Sequence, residues 1–251
     1  MVEERILITV KTYPTLSRKY VETVCTAGIN DSGSWRRLYP IRFRYLDGDK
    51  KFNLYDIIQV KLEDHSADGR PESRRPHTDT IRVVDSITDW SLRHQWVKPT
   101  IVESLQAMQE QAKSIGPVVC QEVLDFESKK VSGNWSESQI DQLRQQQLWG
   151  NSAPTQLEKI PWEFRIRWRD GCGHEHNHMF ISWEVCETWR KYRHRYTDPI
   201  KRMKDKWLED IFSQDRYLAF FMGNAYRFRN NYMICGTYNP LKSKISHESL
   251  F

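Results

Sequence analysis

No two of the five cysteines in this 251-residue chain stand in a CxxC pair. Cys25, Cys120, Cys172, Cys186 and Cys235 are odd in number and widely scattered, which is the usage of a reduced, cytoplasmic protein. No run of about eighteen apolar residues occurs, so nothing is expected to span a membrane. The opening MVEERILITV has no basic region followed by a long apolar stretch, so no signal peptide is expected. GxxxxGK[ST] and GxSxG are missing too. Their absence excludes P-loop nucleotide hydrolysis and the usual esterase nucleophile turn.

What is present is a globular composition: 39 % hydrophobic and 28 % charged residues, with ten tryptophans among the aromatics. So many large rings serve either as buried anchors or as exposed stacking platforms. The net charge of +5 is unevenly spread. Residues 1–100 hold 17 Lys/Arg against 14 Asp/Glu, residues 101–160 hold 5 against 8, and residues 161–251 hold 16 against 11. Two basic flanks around an acidic middle suggest two anion-facing units joined by a spacer.

β-branched runs at 5–13, 20–29, 35–40, 55–63 and 79–88 predict five short strands, with a polar loop at 65–78. A capping-box spacing at Thr100 and Glu103, followed by Ile101, Leu105, Met108, Ala112 and Ile115, predicts a helix that Gly116-Pro117 stops. Ser136 and Gln139 offer a second capping box, for a helix running to Gly150. Further on, 162–169 alternates as a strand, 183–196 and 200–212 read as helices, and 216–224 with 231–239 read as paired strands. The fold class expected is α+β: two β-rich, OB-like barrel units joined by a helical connector, with helices inserted in the second unit. The expected boundaries are 1–95, 96–154 and 155–251.

The stretch RWRDGCGHEHNHMFISWE raises the sharpest chemical question. Folded as a hairpin closed by Asp170-Gly171-Cys172-Gly173, it would set Arg169 opposite His174, Arg167 opposite His176 and Arg165 opposite His178. Such a face suits phosphate, and the arginines repel a dication. Along a straight strand Cys172 and His178 would lie roughly 20 Å apart, too far to share a tetrahedral zinc. A bend at the turn would bring Cys172 and His174 together, with Cys186 or another remote residue completing the set, so zinc, with Cys172, His174 and His178 as candidate ligands, stays an alternative and no cofactor is otherwise expected. A merely solvated hairpin is the third reading.

SWRRLYPIRFRYL interleaves Trp35 with Arg36, Arg37, Arg42 and Arg44. Bases stack on exposed rings while guanidinium groups take phosphates. The plainer alternative is that alternation buries the rings and leaves the arginines solvated. The loop RPESRRP adds Arg70, Arg74 and Arg75, and the 190–206 segment adds eight basic residues on helices.

CTAGINDSGSWRRLYPIR, followed by LYDIIQVKLEDHSADGRPESRRP, resembles the opening of bacterial dual OB-domain proteins. Gly33, Trp35, Arg37, Pro40, Asp56, Val60, Pro71 and Glu72 carry the likeness. RYLAFFMGNAYRFRNNYMICGTYNP is similar to the closing strands of the second such unit. Small bacterial proteins with a Cys/His turn followed by DWE also look similar, but Ser182 stands here where aspartate is common, which weakens a carboxylate chemistry there. The resemblance implies a nucleic-acid-binding accessory protein acting beside a larger protein partner in a defence or mobile-element system. The residues expected to bind are Trp35, Arg36, Arg37, Arg42, Arg44, Arg74, Arg75, Arg165, Arg167 and Arg169. Two other functions compete: a metal-dependent nuclease or hydrolase using Cys172, His174, His178 and Glu184, and a protein-interaction adaptor anchored by tryptophans.

Overall fold

The computed structural model describes all residues except 18, 64–67, 142–156, 227 and 246–251, and the side chain at position 21. The fold is α+β, with two strongly curled sheets and few helices.

The first sheet has the strands β1 (Val2–Lys11), β2 (Thr15–Ser17), β3 (Val21–Asn30), β4 (Trp35–Ile41), β5 (Asp56–Leu62), β6 (Ser73–Arg74) and β7 (Arg82–Ser86). Their order is β6-β4-β3-β1-β5-β7, with β2 on β3. The sheet returns on itself. β6 runs parallel to β4, and the residues after it meet the end of β5 through Leu62 and Pro76 and through the Glu63 N–H to the Arg75 carbonyl. Ile6, Ile8, Val24, Leu38, Ile58 and Val60 fill the interior. Where β1 crosses β3, a Cβ on Gly28 would stand 2.1 Å from the Leu7 carbonyl oxygen, so only glycine permits that approach.

The second sheet has the strands β8 (Ile115–Lys130), β9 (Trp162–Asp170), β10 (Glu175–Met179), β11 (Ala219–Ala225) and β12 (Phe228–Tyr238), in the order β10-β9-β8-β11-β12. It too returns on itself. Just beyond β10, Phe180 bridges Ile234 of β12 in a parallel sense, and Ile181 N–H donates to the Ile234 carbonyl. Helices α3 (Trp183–Tyr192) and α4 (Pro199–Asp205) cover this sheet with Val185, Trp189 and Met203. The side chains of Ser182 and Asp198 cap them, accepting from the amides of Val185 and Lys201.

The middle of the chain differs from the expected helical connector. Helix α1 spans Trp90–Val97, and α2, capped by Ser104, spans only Leu105–Glu110. Ile115 opens the 16-residue strand β8, and Gly116-Pro117 lie inside that strand, paired with Met222 and Phe221. A proline inside a central strand normally argues against one. Pro117 is accommodated because its carbonyl takes the Val102 amide from outside the sheet. The Ser136 box does form, with Gln139 Oε1 accepting from the Ser136 amide, but the expected continuation to Gly150 lies outside the described residues beyond 141.

The two sheets are fused. Val10, Ala27, Ile29 and Trp35 from the first pack with Ile115, Ala219, Phe221, Cys235 and Tyr238 from the second in one buried cluster. Ser114 sits on the seam. Its amide and hydroxyl donate to the Glu72 carboxylate at 2.9 and 2.7 Å, and its carbonyl accepts from Arg37 Nη2 at 2.6 Å.

Candidate functional site

The 162–182 hairpin forms in a register one residue away from the one expected. Glu175 pairs with Arg169, His176 with Trp168, Asn177 with Arg167, His178 with Ile166 and Met179 with Arg165. One residue of slip moves every side chain of a strand to the opposite face. The histidines therefore leave the arginine face. His176 and His178 pack at 4.9 and 6.0 Å from the Trp168 ring on the inner face.

Asp170 sets this register. Its side chain is fully buried; Oδ1 accepts from the amides of Cys172 and His174, and Oδ2 from the Leu105 amide, with His176 Nε2 at 2.9 Å. Burial works against its charge, but the bonds from His176 and the backbone amides hold the carboxyl below its ordinary value. Gly173 takes φ of +84° to close the turn.

The three residues expected to gather around zinc do not converge. Cys172 and His174 are exposed in the turn, whereas His178 is half-buried and its Nδ1 takes the Trp168 indole N–H at 3.2 Å. Among the described residues, no three His, Cys, Asp or Glu side chains form a group that could hold a metal ion. Burial pushes the His178 imidazole down to about 4, aided by His176 and Arg165.

The expected arginine track is also redistributed. Arg36 is paired with Glu4 at 2.8 Å and Arg44 with Glu22 at 2.9 Å. Arg42 lies over the Tyr45 ring, and Arg74 donates to the carbonyls of Pro71 and Ser73. Arg165 bonds to Asn177 and Glu163, Arg167 is near Glu175, and Arg169 is held by Glu122 and Glu175. Trp35, expected as a stacking platform, is 6 % exposed and packs edge-on against Phe221. Arg37 is 3 % exposed. Glu4, Glu22 and Glu122 account for Arg36, Arg44 and Arg169; these acids are remote in sequence, so alternation alone could not reveal them.

What the fold does build is a half-open cleft of about 1050 Å³ between the two sheets. From the first unit it is lined by Thr23 and Cys25 of β3, Arg37 and Tyr39 of β4, Tyr13, Lys19 and Tyr20 of the β1–β3 connection, and Glu63, Asp68 and Arg70 of the β5–β6 connection. The second unit contributes corresponding parts. These are Trp162 and Phe164 of β9, Met179 of β10, Trp135 and Lys159 of the β8–β9 connection, and Asn224 and Tyr226 of the β11–β12 hairpin. Each unit thus offers its second and third path strands and the same two loops.

The mouth holds exposed rings. Tyr39 is 39 % and Tyr226 53 % exposed, and Phe228, on the same hairpin tip as Tyr226, is 67 % exposed. Tyr20 meets Tyr39 edge-on at 6.0 Å, Lys19 Nζ lies over the Tyr20 ring, and Lys159 lies over Trp135. Of the residues expected to bind, the cleft takes in Arg37 and Arg75. Tyr226 and Phe228 were missed, although AYRFRN alternates rings with cations between two apolar strands, the same signal recognised at 34–46.

A fused two-sheet α+β protein with a cleft between like faces is the class so defined. Residues 98–251 match the family described as domain of unknown function DUF8757, and the chain belongs to it. Residues 2–99 match a second domain of unknown function, DUF8758. No curated protein matches the chain. The family boundary at 98–99 falls close to the end expected for the first unit, and the second family includes the segment expected as a separate connector.

Proposed function

We propose that the chain is a nucleic-acid-binding module that takes single strands in the cleft between its sheets. One observation carries this reading: both units turn the same strands and loops toward one cleft, and exposed aromatic rings gather at its mouth. In OB-folds the second and third strands, with the loops joining strands one–two and four–five, hold oligonucleotides. The strand path supports an OB-like reading of each unit. It runs β1-β3-β4-β6-β5 and back to β1 in the first, and β8-β9-β10-β12-β11 and back to β8 in the second, with a single parallel joint in each.

The chemistry is stacking first and charge second. Tyr39, Tyr226 and Phe228 offer ring faces, each worth about 1–3 kcal/mol per stacked base. Lys19 and Arg229 stand near the mouth with Arg75, which lies 3.6 Å from Glu63, while Arg70 is tied to Asp68, and Glu158 holds Arg190 and Arg193. About three or four phosphate contacts give a shallow salt dependence, with a log–log slope of about −2 to −3 for a single strand.

The test is anisotropy with labelled oligo-dT, oligo-rU and a duplex across a salt series. The expected result is preference for single strands, the shallow slope, and about thirtyfold or more weaker binding for Tyr226→Ala with Phe228→Ala. Equal binding by that exposed-site variant, or no binding at low salt, overturns the reading. Capture of a folded protein with no oligonucleotide shift would instead favour the adaptor role.

A further inference from the structure

We infer that the inner end of the cleft is an anion subsite organised by Arg37, and that it takes the terminal phosphate of a bound strand. The identity of the strand rests on the reading above; the anion subsite does not.

Arg37 is 3 % exposed, yet it lines the cleft. Its hydrogen-bond partners are neutral: the Ser114 carbonyl at 2.6 Å and the Cys25 sulfur at 3.5 Å. Its buried Nε–H has no partner at all. Two carboxylates belong to the same network, but both are already engaged. Asp68 takes the Arg70 guanidinium and the Ser73 hydroxyl, and Glu72 takes the Ser114 amide and hydroxyl. A buried guanidinium without a bonded acid is costly. Its planar fork suits a phosphate, which would supply the missing charge and the missing acceptors.

The surroundings decide which phosphate. Asn224 and Cys235 line the cleft together with Arg37 and are 5 % and 2 % exposed. The packing beside Gly223 is close: a Cβ there would lie 3.4 Å from Arg37 Nη2 and 2.9 Å from the Cys235 sulfur. A chain cannot thread past such a wall. A phosphodiester in mid-strand carries a nucleoside on both sides and does not fit a blind end, whereas a terminal phosphate monoester has one side free and a higher charge.

Cys25 reports on this place, since its sulfur touches Arg37 and lines the cleft, and exposed Cys172 serves as an internal control. Thiol alkylation read by peptide mass spectrometry is expected to slow at Cys25, but not at Cys172, when inorganic phosphate is added. Oligo-dT carrying a phosphate at one particular end is expected to bind about tenfold tighter than the unphosphorylated or circular strand. Arg37→Met should erase that difference. If that variant does not fold, the wild-type alkylation and oligonucleotide series still decide. Circular and phosphorylated strands binding alike, with no phosphate protection of Cys25, overturn the subsite and leave the wider reading intact. Phosphate protection with no oligonucleotide binding retains the subsite and overturns the nucleic-acid reading.

Discussion

Asp170 and His178 show how two inward polar side chains can fix a hairpin that was expected to carry chemistry. Asp170 satisfies three backbone amides and His176 in a fully buried place. Asp170→Ala strips all four of their acceptor, and the loss expected is about 3 kcal/mol or more by denaturant titration, whereas Arg167→Ala, on the opposite face of the same strand, should stay within about 0.5 kcal/mol. His178 works through pH. The folded chain keeps its imidazole neutral down to about 4, and an unfolded chain takes the proton near 6.5. The depressed group gives stability that is full above the unfolded value and drains as pH falls from there toward about 4. Screening at a half-buried site leaves on the order of 2 kcal/mol of this. His178→Gln, whose carbonyl can still accept from Trp168, should flatten the melting-temperature profile across that interval. An unchanged acid slope would remove His178 as its source.

At the scale of elements, β9 carries Arg165, Arg167 and Arg169 on the face turned away from the Trp168 cluster, beside Glu122, Glu127 and Glu175. Arg167→Ala with Arg169→Ala is therefore expected to leave oligonucleotide affinity unchanged within about twofold, measured by the same anisotropy series. A tenfold loss would return the binding face to this hairpin. The strands of both units were legible because their alternation of apolar and polar residues survives in the sequence, as in 162–169. Register was not, since whether Asp170 belongs to the turn or to the strand changes the pairing by one, and only its buried amide bonds decide that. The 101–115 segment misleads for another reason. Leu105 and Met108 do share a buried helical face, but Ile115 lies beyond α2 as the first residue of β8, with its side chain in the inter-sheet core. The cleft itself was invisible because it needs two sheets brought together, and no single stretch encodes it.

For the whole molecule, the seam outweighs the boundary between the two matched families. Trp35 and Ile29 share a core with Phe221 and Tyr238, and Ser114 ties Arg37 to Glu72 across it. Calorimetry should give one unfolding peak for the full chain. Ser114→Ala leaves Glu72 one donor short, at a cost of about 1–3 kcal/mol, and should move that single peak without splitting it. Two separable transitions would show that the units fold alone.

Between Val97 and Ser114 the chain has only sixteen residues in which to leave one barrel, make α2 and enter the seam. Added length there would shift Ser114 away from Glu72 and detune both walls of the cleft at once. Independent modules tolerate a change of linker, but these two are coupled through this spacing, so an insertion there is expected to cost the cleft more than a substitution does.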